Sequence, residues 1–147
     1  MGVSQENLLP KKSLKTHTQI GVSLRIMGEV FDIEKLTEQL GVLPSETWYK
    51  GDLIRNTGKR RTYTAWIYNI DRLETLDIGI LVFQIRTLFS EKTDKIVPLK
   101  NQYNLDIWID FVVVVENQEP PAIYFDSDFI SFAAQIGAQF DIDTYIN

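Results

Sequence analysis

At 147 residues, with 44% hydrophobic, 12% aromatic and 24% charged side chains, the chain has enough buriable surface for one domain and too much for a disordered polymer. Its net charge of −5 argues against the basic footprint usual for nucleic-acid binders. The lack of cysteine excludes disulfides, thiol catalysis and thiolate metal sites.

The opening MGVSQENLLPKKSLKTHTQ has no apolar core of the kind a secretory signal needs, and Glu6 stands where a myristoylation pattern requires Ser or Thr. Residues 1–17 are therefore expected to form a flexible tail ahead of a single domain over 18–147, and the cytoplasm is the expected compartment. No apolar run reaches bilayer-spanning length, so no membrane association is expected.

Residues 18–28, TQIGVSLRIMG, place Ile20, Val22, Leu24 and Ile26 at alternate positions, the pattern of a half-buried strand. In VFDIEKLTEQLG, Asp32 can cap a helix whose stripe is Ile33, Leu36 and Leu40. Phe31 can staple onto Leu36, and Gly41 can end the helix in a left-handed conformation. ETWYK and TYTAWIYNI read as two strands of a hairpin. Asn56-Thr57-Gly58 suits a three-residue loop between them, which sets Trp48 opposite Trp66, Lys50 opposite Thr64 and Arg55 opposite Lys59. Like charges near the tip predict that it frays.

From Leu73 to about Phe89 the pattern is helical. Leu76, Ile80, Phe83 and Leu88 form the stripe, widened by Ile78, Leu81, Val82 and Ile85. Residues 90–101 keep helical character, but Pro98 argues against an unbroken helix. LDIWIDFVVVV, 105–115, is the expected central strand. PPAIYFD reads as a short edge strand, and SDFISFAAQIGAQF as a helix with Phe129, Phe132, Ala133, Ile136 and Phe140 inward. Asp126 is expected to cap that helix, Asp141-x-Asp143 to lie where its connection ends, and DIDTYIN to close the chain as a strand. The order predicts an α+β domain, an antiparallel-rich sheet with helices packed on one face, as a ferredoxin-like variant.

Several of these segments together resemble a family of uncharacterised, mainly bacterial proteins, the domain of unknown function 4279 family. The strand SLRIMG, the run LTEQLGVLPSETWYKGD, the strand carrying Trp66 and the closing FDIDTYI carry the resemblance, over residues 18–146. The family brings no established activity. Similar small proteins accompany bacterial toxin systems, which implies an immunity-type inhibitor as one alternative.

Charge is uneven: residues 1–70 hold ten Lys or Arg against seven acids, and residues 71–147 hold five against thirteen. The basic excess gathers in WYKGDLIRNTGKRRTYTAW, residues 48–66. Its GDLIRNTGKRRT is superficially like a phosphate-binding loop, but Arg60 occupies the Ser/Thr position and strands flank it on both sides. His17 is the one histidine, so no His cluster or Ser-His-Asp set can be assembled, and neither a catalytic nor a metal constellation is readable. The candidate binding residues are Trp48, Lys50, Arg55, Lys59, Arg60, Arg61 and Trp66. Three uses compete for this segment: docking another protein, gripping an anion or nucleotide through 50–61, or forming an ordinary solvated hairpin. The expected function is a non-catalytic, protein-binding domain without a cofactor; nucleic acid is disfavoured, and the oligomeric state is open.

Overall fold

The computed structural model describes residues 17–147, so all of the expected tail except His17 lies outside the described residues. In chain order the elements are β1 (Gln19–Gly28), α1 (Ile33–Leu40), β2 (Glu46–Trp48), β3 (Thr64–Glu74) and α2 (Ile78–Phe89). A 3-10 turn (Ser90–Lys92) leads into α3 (Thr93–Tyr103), followed by β4 (Asp106–Val115), α4 (Ser127–Gln135) and β5 (Gln139–Ile146). The strands form one five-stranded sheet in the order β2-β3-β1-β4-β5. It is mostly antiparallel, as expected, except that β5 runs parallel to β4. A parallel neighbour needs a crossover, and α4 supplies it. The middle of the sheet is β1, with β4 beside it.

Alternation on the two inner strands decides where the core sits. Val22 pairs with Phe111, Leu24 with Ile109 and Ile26 with Ile107. One face of both strands is thus wholly apolar, and the buried sides of the helices close on it in a single cluster. At about 1.5–3 kcal/mol per fully buried large apolar side chain, that face is the main driving force for folding. The opposite face carries Ser23, Arg25, Trp108 and Asp110, and the core cluster does not extend over it.

The first helix forms as its sequence predicts. Asp32 accepts from the Lys35 amide at 3.1 Å, and Gly41 ends the helix at φ 66°. Phe31 and Leu36 are both buried in the core.

The second helix differs from expectation. β3 runs on to Glu74, and Asp77 caps α2 by accepting from the Gly79 amide at 2.8 Å. Of the two apolar stripes on this helix, Ile78, Leu81, Val82, Ile85 and Phe89 face the core. Leu76, Ile80 and Phe83, expected inside, are exposed.

Pro98 does not interrupt α3, which continues through it to Tyr103. The missing amide leaves only the residue 94 carbonyl without an intrahelical partner, and Pro98 is exposed to water, which can take that place. PPAIYFD forms no strand. Its two prolines remove ladder donors, and only an isolated Asp77–Ala122 bridge forms. The last helix starts as expected, with Asp126 accepting from the Phe129 amide at 2.8 Å. It stops before Gly137, at φ 65°, so Phe140 belongs to β5 and stacks on Phe125 at 5.1 Å. Asp141 and Asp143 accordingly lie on β5, on the face left open by the helices.

Candidate functional site

The basic segment forms a hairpin arm, residues 49–63, that extends beyond the short β2–β3 ladder. Its base is a turn in which the Tyr49 amide donates to Asp52 Oδ2 at 2.8 Å and Gly51 takes φ 96°. Further out, the Gly51 amide donates to the Arg61 carbonyl, the Arg61 amide to the Asp52 carbonyl, and the Ile54 amide to the Lys59 carbonyl, at 2.7–2.8 Å. At the tip, Thr57 Oγ1 donates to the Ile54 carbonyl and accepts from the Lys59 amide. The tip, expected to fray, is therefore closed by its own side chain.

The Ile54–Lys59 bond leaves four residues, 55–58, in the tip, where the sequence suggested three. The extra residue slips the register by one. Trp48 pairs with Ala65 and Trp66 with Thr47, so the expected Trp48–Trp66 pair does not form. A one-residue slip sends alternate side chains to opposite faces of a sheet, and the two tryptophans part accordingly. Trp66 is fully buried among the helices, its ring edge-on to Phe89 at 6.2 Å and its indole N–H donating to Thr37 Oγ1 at 3.0 Å. It is a core residue, out of reach of any partner. Trp48 stays half-buried on the open face.

Around Trp48 the arm assembles an aromatic–cationic cluster. The Arg61 guanidinium lies 3.8 Å from the centre of the Trp48 ring, and Tyr63 meets the same ring edge-on at 5.7 Å. The Trp48 indole N–H is buried there without an acceptor among the described residues. The other cations diverge. Lys50 Nζ pairs with Glu29 at 3.4 Å, and Arg60 donates to the Gly51 carbonyl at 2.8 Å, while Arg55 and Lys59 are exposed. Tyr49 and Leu53 add exposed apolar surface, 43% and 64% accessible.

Next to this cluster the open face forms a broad trough of about 580 Å³, lined by Arg25, Met27, Tyr63, Asp106 and Trp108. Arg25 makes a two-pronged ion pair with Asp110, and the Trp108 indole donates to Asp106 Oδ2 at 3.0 Å. Burial pushes the Asp110 carboxyl above its ordinary value; Arg25 draws it back down, and Asp141 and Asp143 push it up further. Register is what gathers these residues. Arg25 and Trp108 are direct cross-strand partners on β1 and β4, a pairing that alternation within either strand alone does not reveal. His17 is exposed beside Glu119, at 3.7 Å. Among the described residues, no group of three His, Cys, Asp or Glu side chains is placed to hold a metal ion.

A family model described as Domain of unknown function (DUF4279) matches residues 17–147. No curated protein and no solved structure matches the chain.

Proposed function

We propose that this chain, which belongs to the DUF4279 family, is a non-catalytic domain that binds another protein through the arm 49–63 and the cluster at its base. The observation that carries this reading is the Arg61 guanidinium stacked on half-exposed Trp48, with Tyr63 alongside. Trp, Tyr and Arg are the residues most enriched where interfaces concentrate their binding energy. The arm's backbone is already hydrogen-bonded to its tip, so docking costs little ordering entropy. Exposed Arg55, Lys59 and Arg60 favour an acidic partner surface and steer its approach.

An anion or nucleotide site is less well supported. Lys50, Arg60 and Arg61 each face a different neighbour, so their charges do not converge on one point. The net charge of −5 also weighs against nucleic acid. The cytoplasm is the proposed compartment, with which the absence of cysteine is compatible. Among the described residues, no helix is long and apolar enough to cross a membrane. Helices gathered on one sheet face favour a ferredoxin-like kinship, and the parallel β4–β5 edge counts against it.

The test is kinetic. Once a partner is captured with the wild-type chain, the variant Arg55→Ala/Lys59→Ala/Arg60→Ala/Arg61→Ala should associate roughly tenfold more slowly, and added salt should slow the wild type. Trp48→Ala should speed dissociation instead. Unchanged rates in both variants at every salt concentration would return the arm to a solvated hairpin.

A further inference from the structure

The outer side of α2 and the turn before it carry apolar residues that no other described residue covers. Leu76 is 47% exposed, Ile80 44% and Phe83 60%, and beside them Ile123 and Tyr124 are 43% and 51% exposed. A groove of about 480 Å³ runs between the helix and the Tyr124–Asp126 segment, floored by Gly79, Val82 and Phe83. Its ends have opposite charge. Asp77 and Asp126 stand at the end nearer the helix start, and Arg86 at the other. The Arg86 Nε is buried there with no acceptor among the described residues.

We infer that this face binds a second copy of the chain, α2 against α2 in antiparallel orientation about a two-fold axis. An axis passing between Leu81 and Val82 sets Ile80 against the second copy's Phe83, and Phe83 against the second copy's Ile80. The same operation brings Arg86 to the acidic end of the other copy's groove, near Asp77 and Asp126. Nine residues of helix separate Asp77 from Arg86, about 13 Å along the axis, so both ion pairs form at once on either side of the apolar centre. An isologous interface demands such self-complementarity, in which one patch satisfies its own image. The order acid, Ile80, Phe83, base has that property; reversed, it matches itself. A foreign partner would need no such order.

The size of the patch sets the strength. Five side chains about half exposed offer roughly 400–500 Å² of apolar surface, in the range of the largest patch on a typical monomer and about half of what each partner buries in a standard interface. An area of that size fits a weak, reversible dimer and not an obligate one. This surface is separate from the arm, so the two readings fail independently.

Sedimentation equilibrium across the micromolar range should show the wild-type chain passing from monomer to dimer. Phe83→Glu and Arg86→Glu should each weaken the dimer by roughly tenfold or more, while circular dichroism stays that of the wild type, because both changes lie outside the core. The chain has no cysteine, so single thiols report unambiguously. A short bis-maleimide should join copies carrying Gln84→Cys, close to the axis, and fail to join copies carrying Lys59→Cys on the arm. A wild type that remains monomeric throughout would overturn the inference and leave the face to a foreign partner. A dimer that Phe83→Glu leaves intact, or that cross-links through Lys59→Cys and not Gln84→Cys, would overturn it equally.

Discussion

Trp66 donates its indole N–H to the Thr37 hydroxyl at 3.0 Å, and Thr37 passes a hydrogen bond on to the Ile33 carbonyl at 2.9 Å. This short chain ties β3 to α1 across a ring that is fully buried. Thr37→Val keeps the shape and removes the acceptor, leaving a buried N–H unsatisfied. The expected cost is about 1–3 kcal/mol, read as a lower urea midpoint with unchanged slope. Thr37→Ser, which keeps the hydroxyl, should lose much less. Trp66→Phe made together with Thr37→Val should cost less than the two changes summed, because the unsatisfied donor is then gone. Additive losses would mean that the bond contributes nothing beyond packing.

The Arg25–Asp110 pair gives stability a pH dependence of unusual sign. Burial is the largest influence on Asp110 and holds its carboxyl above the ordinary value of 3.8, against the opposing pull of Arg25. The folded state therefore holds that proton more tightly than the unfolded chain does. Stability from this group is fully present below pH 3.8 and is lost as pH rises through the folded value. Asp110→Asn cannot ionise, so it should gain on the wild type as pH is raised from 3.8 to neutrality. Arg25→Met leaves the carboxylate facing Asp141 and Asp143 without its cation. At neutral pH it should cost about 1–2 kcal/mol, between the exposed and buried limits for breaking an ion pair, and the loss should shrink in acid. Thermal melts of the three proteins across this range decide it; an Asn variant that falls behind the wild type as pH rises would sink the argument.

How much of this was legible in the sequence depended on whether a feature is local. Asp32 and Gly41 bracket α1 through bonds within a few residues, and alternation on Ile20–Ile26 and Ile107–Val113 marks one apolar face without reference to any neighbour. Register is not local. The difference between a three- and a four-residue tip shows only in cross-strand pairing, Ile54 with Lys59, Asp52 with Arg61 and Trp48 with Ala65, and that register decides whether Trp48 and Trp66 share a face. Apolar residues surround most of α2, so periodicity offers two stripes, and packing against the sheet, which is not local, decides that Ile78–Phe89 and not Leu76–Phe83 is buried. The Trp48–Arg61–Tyr63 cluster could have been found from composition, since all three lie in the basic segment. The trough residues Arg25 and Trp108 could not, because they meet only when β1 and β4 pair.

Pro98 offers the most direct test of a local rule overridden by its surroundings. In a helix interior proline is disfavoured by about 3 kcal/mol relative to alanine, through the lost amide and the clash of its ring with the preceding turn. Here α3 tolerates it because Ile96 is buried and Leu99 and Tyr103 pack against the core, holding the helix in place from its inner side. Pro98 itself contributes little to that packing, since it is exposed. Pro98→Ala restores the amide opposite the Asp94 carbonyl and relieves the ring clash. Part of the gain is offset, because alanine loosens the unfolded chain that proline had restrained. The net expectation is a stabilisation of about 1–2 kcal/mol, seen as a higher urea midpoint. Hydrogen exchange should localise the effect, with stronger protection for the amides of residues 97–103 and little change on β1 or β4. Pro98→Gly separates the two contributions: it also restores the amide but lacks alanine's helix propensity, so it should fall between wild type and alanine. If alanine destabilises the protein, then the ring, and not the surrounding packing, is what holds α3 in register against the sheet.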